Sequence, residues 1–375
     1  MFLASSSYWP RFPLPSKIAE NVVKQALRIR EDDVVHITSS KHMLGLADEL
    51  ATECRKAGAE TTTIFWSEPL WYWSLEKLPL DWLRGASKTD LALLDVATAT
   101  IGISGVADPR PMARISAERW QANSEGADVW YRKMLERKVR NVTLAIGVVT
   151  PQRARAYGFN YLAWKRSTQN ALKEDYSKIA ETGKKLRTLL DGVTHEVHIT
   201  AKAGTDLRFR LAGRKAWVDD GILDDEDLAA GTFDTTLPAG CVNVAPDEDS
   251  ANGTVAFDLP IPQRGKLIKG VKWSFASGSI SEFTAARNGD MILPVWEKGT
   301  GDRSKFGWFG IGINPGAKTG FLGDNIVSGA VTIGIGENKL LGGKNVSTFA
   351  FQGTLKKSTV VIGDQTIVTD GKLTI

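Results

Sequence analysis

The spacing of apolar residues changes rhythm near the middle of the chain. Up to about residue 190, short apolar runs alternate with longer amphipathic stretches. The run "DDVVHIT" (32–38) predicts a buried strand, and "MLGLADELATECRKAG" (43–58) predicts a helix stopped by a glycine. "TTTIFW" (61–66), "DLALLDV" (90–96) and "VTLAIGVV" (142–149) predict further strands, with helical patterns around 111–138 and 151–158. A long amphipathic segment over roughly 168–190 leads out of this half. Strands alternating with helices are the rhythm of a parallel sheet covered on both faces.

From about 193 the pattern becomes one of short alternating strands punctuated by Gly, Asn and Asp. "HEVHITA", "DLRFRLAG", "CVNVAP", "GTVAFDLP", "IKGVKWSFASG", "GWFGIGI", "AVTIGIGE" and "STVVIGDQTIVTDGKLTI" follow one another with few helical stretches. The expected fold class is therefore α/β plus β. An N-terminal α/β domain with a mainly parallel sheet (1–190) is followed by a mostly antiparallel β domain (191–375). No low-complexity linker separates them, so tight packing is expected, with a junction cavity as the default ligand site.

Composition narrows this only slightly. A chain of 375 residues is long enough for two cores, and 42% hydrophobic residues is an ordinary soluble composition. No window approaches the ~20 apolar residues that span a bilayer, so no membrane partner is expected. The opening "MFLASSSYWPRFPLP" lacks the basic region of a signal peptide. Two cysteines make no disulfide framework, which points to a reducing, cytoplasmic setting. The net charge of +4 is small, and the basic run "YRKMLERKVR" (131–140) reads as a solvated helix end rather than a nucleic-acid surface.

Candidate chemistry is sparse. The histidines of "HEVH" (195–198) lie on a predicted strand, where positions i and i+3 face opposite sides and do not close on one metal. His36 and His42 flank the end of the first strand, and carboxyl ends of parallel strands are where such sheets bind ligands. That makes His36 a candidate for substrate binding. No histidine follows 198, so the β half supplies no imidazole of its own. Cys54 falls inside a helix as a core residue. Cys241 enters an acidic turn, "APDEDSANGT", whose residue types are those of a structural turn. "GIGINPG" (310–316) runs between strands and is a poor phosphate cradle. The aromatic cluster "FWSEPLWYWSLEKLPLDW" (65–82), with Trp71 and Trp73, reads as a pocket wall, a dimer contact or core.

The stretches "AKAGTDLRFRLAGR" (201–214), "LPAGCVNVAPDEDSANGT" (237–254), "GIGINPG" and "GAVTIGIGE" (329–337) together resemble the aminopeptidase T-like metallopeptidase family. That family is itself similar to the 2,5-dihydroxypyridine dioxygenases. The resemblance implies the two-domain arrangement above, an active-site cavity at the junction and a homodimer. It also implies two divalent metals held by Glu and His side chains in these motifs. At those columns the present sequence has Cys241, Trp308, Thr332, Ala350 and Gln352. A degenerate site without metal or cofactor is therefore expected. Asp249, Asp258 and Glu337 remain as oxygen donors for a hard cation at a different site.

These readings converge on a metal-independent enzyme that hydrolyses or cleaves a small planar or aromatic substrate. Cys241 is expected as nucleophile or hydrogen-bond donor, Thr332 and Gln352 as polar orienters, and Asp249 or Glu337 as proton acceptor. Trp308, His36, Trp71 and Trp73 are the expected substrate-binding residues. Two alternatives stand beside it, a metal-dependent aminopeptidase with ligands at other positions and a non-catalytic small-molecule-binding homologue.

Overall fold

Apolar runs with β-branched residues become the parallel sheet of the first half. Strands β1 (Val34–Ser40), β2 (Glu60–Trp66), β3 (Ala99–Ile103) and β4 (Arg140–Leu144) pair in the order β2-β1-β3-β4, all parallel. The computed structural model describes residues 16–103, 105–263 and 265–375. The opening "MFLASSSYWPRFPLP" lies outside the described residues, so the expectation placed on it is not addressed. One sheet face is apolar, with Val35, Ile37, Ile101 and Val142 buried, and the helix Leu44–Lys56 contributes Ala47, Leu50 and Cys54 to the same core. Cys54 is fully buried, as its place in the helix predicts.

Three predicted elements come out differently, the first being the strand expected at 142–149, which ends at Leu144 and passes into a short helical turn over Ala145–Val148. "DLALLDV" is not a strand. It falls largely in the helix Lys88–Leu93, which Ser87 caps by accepting a hydrogen bond from the Asp90 amide. The Ser-x-x-Asp start outweighs the apolar run, and the actual strand is the neighbouring β3. The segment 168–190 is two helices, Tyr161–Lys173 and Tyr176–Leu190, broken where Asp175 caps the second by accepting from Ser177 N.

The second half builds two large antiparallel sheets and a two-stranded ribbon, Ile261–Gln263 with Lys266–Ile268. One has eight strands, from Ser279–Thr284 at one edge to Lys372–Leu373 at the other. The other has five, ordered Ala350–Leu355, Val331–Gly336, Phe306–Gly312, Cys241–Val244 and Trp217–Asp219. Aromatic rings knit the sheets together, with Phe209 edge-on to Phe306 at 4.8 Å and Trp273 against Phe351 at 6.2 Å.

The two halves also share a sheet. Strand Asp234–Leu237, from the second half, pairs in parallel with β4 and completes the first sheet as its fifth strand. One apolar cluster runs from Ile18 to Val368, so residues on both sides of position 190 share a core. Among the described residues no helix is long and apolar enough to cross a membrane.

Candidate active site at the junction

Strand alternation sorts the five-stranded sheet into two faces. Val242, Val244, Phe309, Ile311, Ile333 and Leu355 are buried on one face. The other carries Cys241, Asn243, Trp308, Thr332, Ala350 and Gln352. Cross-strand pairing puts these in rows: Asp219 with Cys241, Asn243 with Gly310, Gly310 with Thr332, Trp308 with Gly334, and Gly334 with Gln352. The five columns singled out in the sequence thus share one face of one sheet.

Two cavities open on this face. The larger, about 420 Å³, is lined by Trp308, Ala350, Gln352 and Thr354. The smaller, about 280 Å³, lies between the halves, with Val148 and Trp164 from one side and Asp219 and Asn325 from the other. Leu322, Gly323 and Asn325 line both cavities, so the smaller cavity, at the expected junction, adjoins a larger lobe lined by the second half alone.

In the larger lobe the Trp308 indole lies flat over Gly334, where a Cβ would fall inside the ring. Glycine is required there for this reason. The indole Nε1–H donates to Gln352 Oε1 at 3.2 Å, leaving a flat apolar surface with its polar atom engaged. Thr332 is 2% exposed, and its hydroxyl is hydrogen-bonded to that of Thr354 at 3.1 Å. It supports the floor and lines neither lobe.

Asp219 lines the smaller lobe, and behind it the buried Cys241 thiol, which lines neither lobe, donates to Asp219 Oδ2 at 3.9 Å, while Asn243 Nδ2 donates to the sulfur at 3.3 Å. Burial, then the neighbouring carboxylates Asp220 and Asp234, push Asp219 up to about 7. Burial and the Asp219 charge push the Cys241 thiol up to about 12, against the opposing hydrogen bonds from Asn243 and Asn325. The pair is a protonated thiol beside a carboxyl group that titrates near neutrality.

The acids expected to serve Cys241 lie elsewhere. Cys241 pairs with Gly312, at one end of the strand Phe306–Gly312. Asp249 pairs with Lys305, beyond the opposite end, and is exposed. Glu337 follows Gly336 at that same end and accepts from the amides of Lys339 and Ser347. Six residues of strand put both roughly 20 Å from the thiol. The physical reason is strand direction: the acidic turn is where the Cys241 strand leaves the sheet, so its acids point away from the residue that opens it.

The turn itself is built around Glu248, which is 6% exposed. Arg214 grips both its oxygens at 2.7 Å, and Asn338 Nδ2 and Lys344 N donate to Oε1. Although burial opposes it, this pairing holds Glu248 down to about 2. The turn is structural, as its residue types predict. So is "GIGINPG", where the buried Asn314 side chain accepts from Gly316 N and Ala317 N and donates to Ala239 O.

The remaining candidates also sit away from the junction. His36 lies in the middle of β1, not at its carboxyl end, and lines neither lobe. Trp71 packs in a satellite core with Leu75, Leu83 and Trp120, its ring 5.8 Å from that of Trp120. Trp73 is 54% exposed on the outside of the same helix. Helical periodicity explains both, since they lie two residues apart on opposite sides of one helix. His198 is bonded to Asp206 across strands at 2.8 Å, in keeping with an ordinary strand histidine.

Sequence reading missed Asp219, Asn243 and Asn325. Asp219 belongs to a three-residue strand, too short for alternation to register, and only the pairing with Cys241 reveals it. The site residues do not fit the family's divalent metals. A protonated thiol, an indole, a buried hydroxyl, a methyl and an amide stand where carboxylates and imidazoles would bind. Among the described residues no group of three His, Cys, Asp or Glu is arranged to hold a metal. Asp258, the other oxygen donor considered, accepts from the amides of Lys356 and Lys357.

Comparison with known proteins places this site in context. The fold matches that of wild-type AmpT from Thermus thermophilus, with a TM-score of 0.67 over 96% of this chain and 98% of that one, at 18% identity. It also matches 2,5-dihydroxypyridine dioxygenase from Pseudomonas putida KT2440, with a TM-score of 0.55 over 96% of both chains, at 16% identity. Aminopeptidase PepS from Streptococcus thermophilus is 32% identical over 101 residues, which span 27% of this chain and 24% of that protein. The thermophilic metalloprotease (M29) profile matches residues 15–304, a range that includes Cys241 and ends before Trp308. With well over half of its length matched, the chain belongs to the thermophilic metalloprotease (M29) family.

Proposed function

We propose that this protein performs general acid–base chemistry on a small neutral organic molecule, planar or aromatic in part, without a bound metal. The observation that carries this reading is Asp219, a cavity-lining carboxyl group pushed up to about 7 by burial. A group titrating near the working pH exchanges protons in both directions at the least cost. In a hydrolysis, its carboxylate takes a proton from the attacking water and returns it to the leaving group. Cys241 acts as a hydrogen-bond donor that orients this carboxyl, because a thiol pushed up to about 12 supplies little thiolate for attack. Asn325, at the wall of both lobes, is placed to hold a polar group of the substrate, and the Trp308 indole to stack against its planar part.

Family membership supports hydrolysis as the reaction class. It also favours a second reading, a metal-dependent aminopeptidase, which the donor set at the site disfavours. One assay separates them. A panel of neutral aromatic amides and esters, followed at pH 7, should contain a substrate whose turnover survives 1,10-phenanthroline and is lost in Asp219→Asn. Turnover of L-leucine p-nitroanilide that requires added zinc or cobalt would overturn the proposal, as would a complete absence of turnover across the panel.

A further inference from the structure

The polar face of the parallel sheet holds a separate cavity of about 450 Å³, which shares no residue with either junction lobe. Its floor is made by β1, β3 and β4, where cross-strand pairing aligns His36 with Thr100 and Thr100 with Asn141. Thr100 donates to Asn141 Oδ1 at 2.7 Å, and Asn141 in turn donates to Asp234, so these two polar groups are already engaged. His36 is not. It is 6% exposed, yet neither ring nitrogen has a hydrogen-bond partner. Buried polar groups are normally satisfied, and an orphaned imidazole facing a cavity points to a partner that occupies it.

The walls define what that partner is. Trp66 and Trp130 supply flat aromatic surfaces, and Leu94 closes one side. Among the described residues no lysine or arginine lines the cavity, and the one charged lining residue is the carboxylate Asp90, so an anionic ligand is disfavoured. A neutral imidazole offers one donor and one acceptor, a pattern that a hydroxyl group matches in both directions. Thr38 presents a second hydroxyl two residues along the same strand face.

We propose that this cavity is a second small-molecule site, specific for a neutral aromatic ring bearing a hydroxyl group, with His36 as its polar anchor. The reading goes beyond the junction chemistry and stands independently of it. Phenol titrated into the intact protein should quench tryptophan fluorescence saturably, and benzoate should bind at least tenfold more weakly. His36→Phe should weaken phenol binding at least tenfold and Thr38→Val several-fold, while Asp219→Asn leaves it unchanged. Thr38 lies at the cavity surface, so its variant keeps the test open if His36→Phe fails to fold. Phenol binding that is absent in the wild type, or unaltered in a folded His36→Phe or in Thr38→Val, would overturn the site. Equal affinity for benzoate would overturn the ligand class, and loss of phenol binding in Asp219→Asn would assign the binding to the junction instead.

Discussion

Two acids of the β-rich half face opposite fates although they serve the same five-stranded sheet. Glu248 is gripped by the Arg214 fork and two further donors, Asn338 Nδ2 and Lys344 N, and is held down to about 2. Asp219 has a thiol for its neighbour, and burial together with three carboxylates, Asp220, Asp234 and Asp227, pushes it up to about 7. Both pay for burial, so burial alone does not decide protonation. The presence of a cation does. Glu248 belongs to a turn whose residue types read as structural, and its role is structural. The chemically poised carboxyl sits at the end of a three-residue strand.

The sharpest way to test this contrast is to neutralise each acid. Asp219→Asn should lower turnover by roughly 10²- to 10⁴-fold while leaving the thermal midpoint unchanged or raised, because it removes a proton carrier that stabilises nothing. Glu248→Gln should do the reverse, costing about 3 kcal/mol or more in denaturant unfolding by leaving Arg214 buried without its partner. If both variants lost stability alike, the division of labour would fail.

Stability against pH probes the same pair with opposite signs. Glu248 is lowered in the fold, so its contribution is complete above about 4.5 and fades as pH falls towards 2. Asp219 is raised, so the native state binds the extra proton and stability declines as pH rises from about 4 to 7. Urea titrations should therefore show Asp219→Asn gaining on the wild type between pH 5 and 8, and no such gain would refute the raised value. The smallest effect concerns the thiols. Cys54 and Cys241 are buried and both pushed up to about 12, so a disulfide reagent at pH 8 should label them only on unfolding. Fast labelling of Cys241 in the native protein would restore it as a nucleophile.

Much of this was legible in the chain. The change of rhythm near 190 separates mainly parallel from mainly antiparallel pairing, the strand Asp234–Leu237 excepted, because a buried strand and a one-sided strand carry different apolar periods. The motif columns at Cys241, Trp308, Thr332, Ala350 and Gln352 do share one face. What could not be read depends on register or on distant pairing. Asp219 becomes a neighbour of Cys241 only across strands, and Thr332 is removed from the cavity by Thr354, 22 residues away. "DLALLDV" misled because an apolar run of that length suits a strand or a buried helix, and only the Ser87 cap decides.

The strand Asp234–Leu237, which completes the first sheet from within the second half, bears on how a ligand enters. Four residues of ladder tie the halves into one fabric, so a hinge between them would have to tear backbone hydrogen bonds. Cleavage of the chain near 190 should accordingly leave two fragments that remain associated. Entry by domains swinging apart is opposed by that ladder. The loop around Leu322 and Gly323 lines both lobes, so its packing, rather than an angle between two domains, shapes what the site admits.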